Sequence, residues 1–348
     1  MIDWKLALST ATRLSKPGPD ISALEVAEAV AELREGAAKS EQPVREFSDL
    51  HARSATAPVL VVDRRRWIEA NLETFRVLMD PVMAKLVEAN KVPTGIGKVV
   101  GEKVGGAELG ALMSFMSSKV LGQFDPFWVG PNGEAGRLLL VAPNIVQVER
   151  QLGVDPHDFR LWVCLHEETH RVQFTAVPWL SEHMRTLLDE FIEATDLDSS
   201  ALSSLLGDSL GEAVKILRGE SDASLSDLFQ NPRQREIVDQ LTGIMSLLEG
   251  HADVVMDGVG PGVIPSVAEI RRKFNERRKG AGGLDRMIRR LLGLDAKMRQ
   301  YRDGAEFVRT VMDKVGLDGF NAVWEKPANL PTKSEILDPA AWVTRVHG

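Results

Sequence analysis

DPHDFRLWVCLHEETHRVQFTAVP, residues 155–178, is the stretch that decides the fold. Asp155 is a good helix cap, Pro156 suits the first helical position, and Asp158 favours the positive end of the helix dipole. The helix has to stop before Pro178, whose ring and missing N–H end the ladder. Phe159, Trp162, Val163, His166, His170 and Phe174 recur at steps of three and four, so both histidines share the inward face, one turn apart. Two imidazoles at that spacing can reach one ion. Glu167 lies about 100° around the helix from His166. A carboxylate there can address a water on the ion without displacing it. Cys164 would face the other way, as a small core residue.

A catalytic site of this kind takes a third protein ligand and keeps a fourth position for water. The chain offers His183, Glu249, His251, Asp253 and Asp257. A second helix is expected from Asn231-Pro232 to Asp257, with Gly258 past its end. Its apolar stripe is Val238, Leu241, Met245, Leu248, Ala252 and Met256, and Glu249 sits on that stripe. A carboxylate there is costly to bury unless something cationic meets it. Glu249 is therefore the best third ligand. Asp253, one turn on, could accept the outer N–H of a ligand histidine. An ordinary salt-bridged face is the plainer alternative for this pair. His251 points roughly 200° away from Glu249 and is the weaker choice as a ligand. His251 and Tyr301, the only tyrosine, are both of a type that could stabilise an oxyanion.

Outside these two helices the chain again reads mostly as helix. SALEVAEAVAELREG (22–36) has a Ser22 cap and ends at Gly36, and the stretch 65–90 is similar. GIGKVVGEKVGG (95–106) reads as a flexible connector, because its glycines match no phosphate-loop spacing. Strands are expected at PVLVV (58–62) and across residues 126–148, where a Pro-Asn-Gly turn separates two apolar runs. The fold class is mainly α with a small β-sheet. An N-terminal helical portion (1–125), a candidate subdomain, would pack against a catalytic portion (126–348), most simply as one compact unit.

The formal net charge of −8 and pI near 5.5 argue against nucleic acid as the main partner. No apolar run approaches the roughly 20 residues of a membrane span. A lone cysteine and an N-terminal stretch without the layout of a signal peptide make the cytoplasm the expected compartment. Between Arg271 and Arg302 there are twelve Lys/Arg against three acids, an excess of nine positive charges in an acidic chain. A solvated face is the plain reading; an electrostatic funnel for an anionic, acidic substrate is the sharper one.

HEETHRVQF and SLLEGHADVVMD together resemble the zincin-like metallopeptidases of type 2, found mainly in actinobacteria and their relatives. The resemblance extends to MIDWKLALSTATRLSKPGP, PVLVVDRRRWIEANLETF, GQFDPF, RLLLVAPNIVQVERQL and VWEKPANLPTKSEILDPAAWVTRV, nearly the whole chain. It implies a zincin-like architecture, with Zn2+ on His166, His170 and Glu249 and with Glu167 as the catalytic acid-base group. The similar subgroup is linked by gene neighbourhood to deazaflavin coenzyme biosynthesis. A zinc metallopeptidase or hydrolase acting on a peptide or acyl substrate is thus expected. The alternative is a non-catalytic scaffold, held together by zinc, in the metabolism of that coenzyme.

Overall fold

A computed structural model describes residues 2–51, 57–88, 96–194, 231–280 and 294–348; for 81–88, 96–98, 100, 278–280 and 294–302 it describes the backbone alone. Helices dominate, around a three-stranded sheet of β1 (Val59–Val62), β2 (Gly122–Val129) and β3 (Ala135–Val141) in the order β1-β3-β2. β1 runs parallel to β3, with Val59 opposite Leu138, and β2 runs antiparallel, with Gly122 opposite Leu140. β3 is the middle strand and is apolar on both faces, as a strand covered on both sides must be. Leu138 and Leu140 join the side that holds α6 (Pro156–Ala176). Leu139 and Val141 join a second cluster with Ala7 and Ala11 of α1 (Trp4–Leu14), Trp67, Ile68 and Leu72 of α3 (Arg64–Glu88), and Met113 of α4 (Ile96–Ser117).

The hairpin forms at Pro-Asn-Gly, with Gly133 at φ +83°. Its second strand ends at Val141 rather than running to 148. Residues from 142 form α5 (Ala142–Leu152), with Pro143 in the first turn and Gly153 closing the helix at φ +58°. The apolar run that suggested a strand is the buried face of this helix, Ile145, Val146 and Val148.

Three further expectations fail for one shared reason. α2 (Ala23–Ser48) starts with the Ser22–Glu25 capping box but runs on through Gly36 and Pro43. α8 (Pro232–Val263) runs on through Gly258 and Pro261 instead of ending at Asp257. The glycine-rich 96–117 stretch is helix α4. In each case a glycine marks close packing instead of a helix end. A Cβ on Gly36 would press on the Cys164 sulfur, one on Gly258 would overlap the Phe47 ring, and those on Gly106 and Gly110 would overlap the backbone of α1 at Asp3 and Ala7.

A sheet strand from before residue 125 pairs with one from after it, and the boundary 125/126 falls within β2. α2 also packs along α6. The N-terminal portion therefore shares both sheet and core with the rest. After α7 (Trp179–Glu193), α8 is followed by α9 (Val267–Gly280), α10 (Leu294–Asn321, broken at Gly316), α11 (Lys333–Leu337) and α12 (Pro339–His347). α8 and α10 meet backbone to backbone: a Cβ on Gly250 would overlap Gly304, and one on Gly304 would overlap the Ser246 carbonyl. That contact fixes α8 one residue from Glu249. No helix among the described residues is long and apolar enough to cross a membrane.

Candidate metal centre

α6 begins as its sequence dictates, with the Asp155 side chain accepting from the Asp158 N–H and Pro156 in the first turn. It crosses under the sheet and is buried on nearly every side. Its second glutamate, Glu168, is fully buried and accepts from Arg171 at 2.6 and 2.9 Å, while Arg171 also reaches Glu41 at 2.9 Å and the Ala57 carbonyl. This pairing anchors the helix and turns Glu168 away from any role beside the histidines. Cys164 lies on the α2 side, its sulfur 3.5 Å from the Leu33 carbonyl, and burial pushes its thiol well above the usual range.

The opposite side of α6 meets α8. There the Nε2 atoms of His166 and His170 stand 3.6 and 3.7 Å from Glu249 Oε2, and one donor atom from each of the three residues lies within 4.8 Å of the others. The two rings are perpendicular, with centroids 4.9 Å apart. Donors around a tetrahedral ion at bond lengths of 2.0–2.1 Å stand about 3.3–3.4 Å apart. Each imidazole nitrogen stands 3.6–3.7 Å from the carboxylate oxygen and all three donors lie within 4.8 Å of one another, so one small divalent cation fits once the donors draw in.

The charges around the cluster agree. Burial alone would depress the His170 pKa, but the Glu249 carboxylate, then Glu167 and Gln173, outweigh it and lift the ring to about 9. Glu167 is only 7% exposed; burial pushes its carboxyl up to about 7, His170 draws it down and Glu249 raises it further. A buried carboxylate and a half-buried one beside two imidazoles favour a positive charge between them, which is what a metal supplies.

Gly122, the first residue of β2, lies directly over Glu167. A Cβ there would overlap the Glu167 Cγ and Cδ and stand 2.8 Å from Oε1. Gly122→Ala should therefore displace the carboxylate while leaving both histidines alone. We expect any hydrolytic turnover that draws on this carboxylate to fall at least tenfold with metal content unchanged, read by elemental analysis beside an activity assay. Equal turnover would show that the carboxylate has room to give.

The sequence did not single out Gln173, which is fully buried beside His170. Its side chain lies 2.9 Å from His170 Nδ1, 3.0 Å from the Leu248 carbonyl and 2.9 Å from His251 Nδ1. One signal was available: positions 166, 170 and 173 fall on one helical face. Gln173 stands at the outer nitrogen of His170. Asp253 itself is half-buried one turn beyond Glu249.

His251 does not stand among the three donors. It is 2% exposed, stacked on Phe320 at 5.6 Å and edged by Trp324 at 5.4 Å, and burial followed by the charge of His170 pushes its pKa down to about 3. An oxyanion donor must face substrate, and this ring is packed behind His170 instead. His183 packs on Trp179 in α7, and Asp257 pairs with Arg271 and Arg309. Tyr301 falls in α10, but its side chain lies outside the described residues.

In the basic segment, Arg271, Arg272 and Lys273 pair with Asp257, Glu276 and Glu269. Phe274 meets Trp162 edge to face, which seats α9 against the first half of α6. The side chains of 278–302 lie outside the described residues.

A family profile described as zincin-like metallopeptidase matches residues 2–343. A crystal structure from Chloroflexus aurantiacus, provisionally described as a hydrolase with a novel fold, superposes with a TM-score of 0.70 at 30% identity, over 99% of this chain and 98% of that one. None of the curated proteins matches.

Proposed function

We propose that this chain, which belongs to the zincin-like metallopeptidase family, is a zinc-dependent hydrolase of peptide or acyl substrates. In this reading His166, His170 and Glu249 hold the ion and Glu167 is the general base. The observation that carries it is the gathering of three donors of suitable kind within 4.8 Å, with a buried carboxylate coupled to them.

Zinc, when bound, supplies Lewis acidity, polarising a carbonyl and drawing the pKa of a coordinated water towards about 7. The chain's own residues do the rest. Glu167 takes the proton from the attacking water and returns it to the leaving amine or alkoxide. Burial holds its pKa near 7, where a carboxyl group both accepts and gives a proton readily. Glu249 contributes a negative charge that keeps the ion in place and favours protonation of its neighbours. Tyr301 stays the proposed second donor to the oxyanion, on its residue type and its place in α10. His251, enclosed by Phe320 and Trp324, serves the site from behind His170.

An acidic substrate is part of this proposal, and rests on the cations of 278–302, since three of the cations before them are already paired. The tie to deazaflavin coenzyme biosynthesis belongs here too, carried by the resemblance of the quoted segments.

The test is metal removal. Freshly purified protein should carry about one zinc per chain by elemental analysis. A peptide and acyl-ester library should yield a product that disappears on chelation and returns with added zinc. A chain that carries zinc and unfolds on chelation, yet turns over nothing in the library, would instead be the zinc-held scaffold.

A further inference from the structure

Three buried groups behind His170 form a chain of hydrogen bonds whose direction is fixed by one of them. The Leu248 carbonyl can only accept. The Gln173 atom 3.0 Å from it must then be the amide nitrogen, which fixes the orientation of the amide. The amide oxygen is thereby turned to His170 Nδ1, at 2.9 Å, where it can only accept. A proton must sit on His170 Nδ1, and the neutral ring then presents the lone pair of Nε2 to Glu249, the side on which the ion would lie. The second amide proton points at His251 Nδ1, 2.9 Å away, so that nitrogen accepts and the His251 proton sits on Nε2. Every member of the chain is almost wholly buried, and the His251 ring is clamped between Phe320 and Trp324.

We propose that Gln173 is the positioning residue of the metal centre, setting the tautomer and the rotation of His170 and tying α6 to α8 at the residue next to Glu249. The inference rests on the metal-site reading above. A neutral amide in this role is a choice with consequences. It fixes the ring as a carboxylate would, but adds no negative charge to a cluster that already holds Glu167 and Glu249.

The test uses the full-length protein and zinc alone. Zinc affinity is measured by competition with a chromogenic chelator, and cobalt replaces zinc for a ligand-field spectrum. Gln173→Met keeps the volume and removes the acceptor; losing an outer partner of this kind typically costs 10–100-fold in metal affinity, and the cobalt spectrum should change. Gln173→Glu keeps an acceptor at His170 Nδ1 while losing the donors to the Leu248 carbonyl and His251 and adding a negative charge, so its affinity should recover to within about tenfold of wild type. A purely structural role would weaken both variants alike. Met and wild-type proteins of equal affinity, or Glu and Met proteins equally weak, would overturn the proposal. Long-range 1H–15N spectra of the zinc-loaded wild type need no variant to fold: they should place the proton of His170 on Nδ1 and that of His251 on Nε2. The opposite tautomer at His170 would also overturn it. A wild type that takes up no zinc fails earlier, and sinks the metal-site reading on which the proposal stands.

Discussion

Glu167→Gln is expected to keep the metal and lose the chemistry. Glutamine preserves shape and can still hydrogen-bond, but it cannot take a proton from water. Losing general-base help typically costs 10²–10⁴-fold, about 3–5 kcal/mol of barrier. Zinc content and the cobalt spectrum should match the wild type, because the donors are on other side chains. The variant should also be the more stable protein in the metal-free form. The Glu167 carboxyl is raised by burial from 4.5 to about 7 in the folded chain. A raised acid stabilises the fold fully below its unfolded pKa, and that contribution is lost as pH climbs through the folded value. At pH 8 the wild type carries a buried carboxylate that the amide does not. Removing it should gain on the order of 2–3 kcal/mol, read from denaturant midpoints at pH 5 and pH 8. A gain that is small at pH 5 and grows to its full size at pH 8, together with lost turnover, would mark Glu167 as a residue kept for function against stability. Unchanged turnover would remove it from the mechanism.

The two helices that hold the cluster were legible because their signals are local. Asp155-Pro156 and Asn231-Pro232 start each helix where the caps say, and helical spacing alone puts His166 and His170 on one face. Glu249 was legible as a charge on an apolar stripe. Tertiary contacts were not. Glycine is a poor helix former, so Gly36, Gly258 and the glycines of α4 argue for ends and loops when read locally. In the fold Gly36 and Gly258 make room for the Cys164 sulfur and the Phe47 ring, and Gly106 and Gly110 for the backbone of the first helix, which only the partner's position can reveal. Gln173 was missed for a related reason. A glutamine on a helix looks the same in sequence whether it faces solvent or spans two histidines. Gly122 gave no signal at all: its need to be small comes from Glu167, 45 positions away.

Glu249→Ala should nearly empty the centre of zinc. Two imidazoles on one helix remain, and they supply no charge to balance a dication. The loss should exceed the 10–100-fold typical of removing an outer partner, and the purified variant should hold far less than one zinc per chain. The replacement is small and sits beside Gly250, where α8 already touches Gly304, so the helix contact is kept and the fold should survive. The same change reverses the balance at His170. With Glu249 gone, the largest influence raising its pKa is removed while burial still lowers it, so the metal-free ring should turn from mostly protonated to mostly neutral near pH 7. Histidine chemical shifts followed against pH would show this independently of zinc. Other ligands are poorly placed to substitute: His251 is packed behind Gln173, and Asp257 is held by Arg271 and Arg309. Wild-type zinc affinity in Glu249→Ala would therefore point to Asp253, one turn further along α8, and would move the third ligand there.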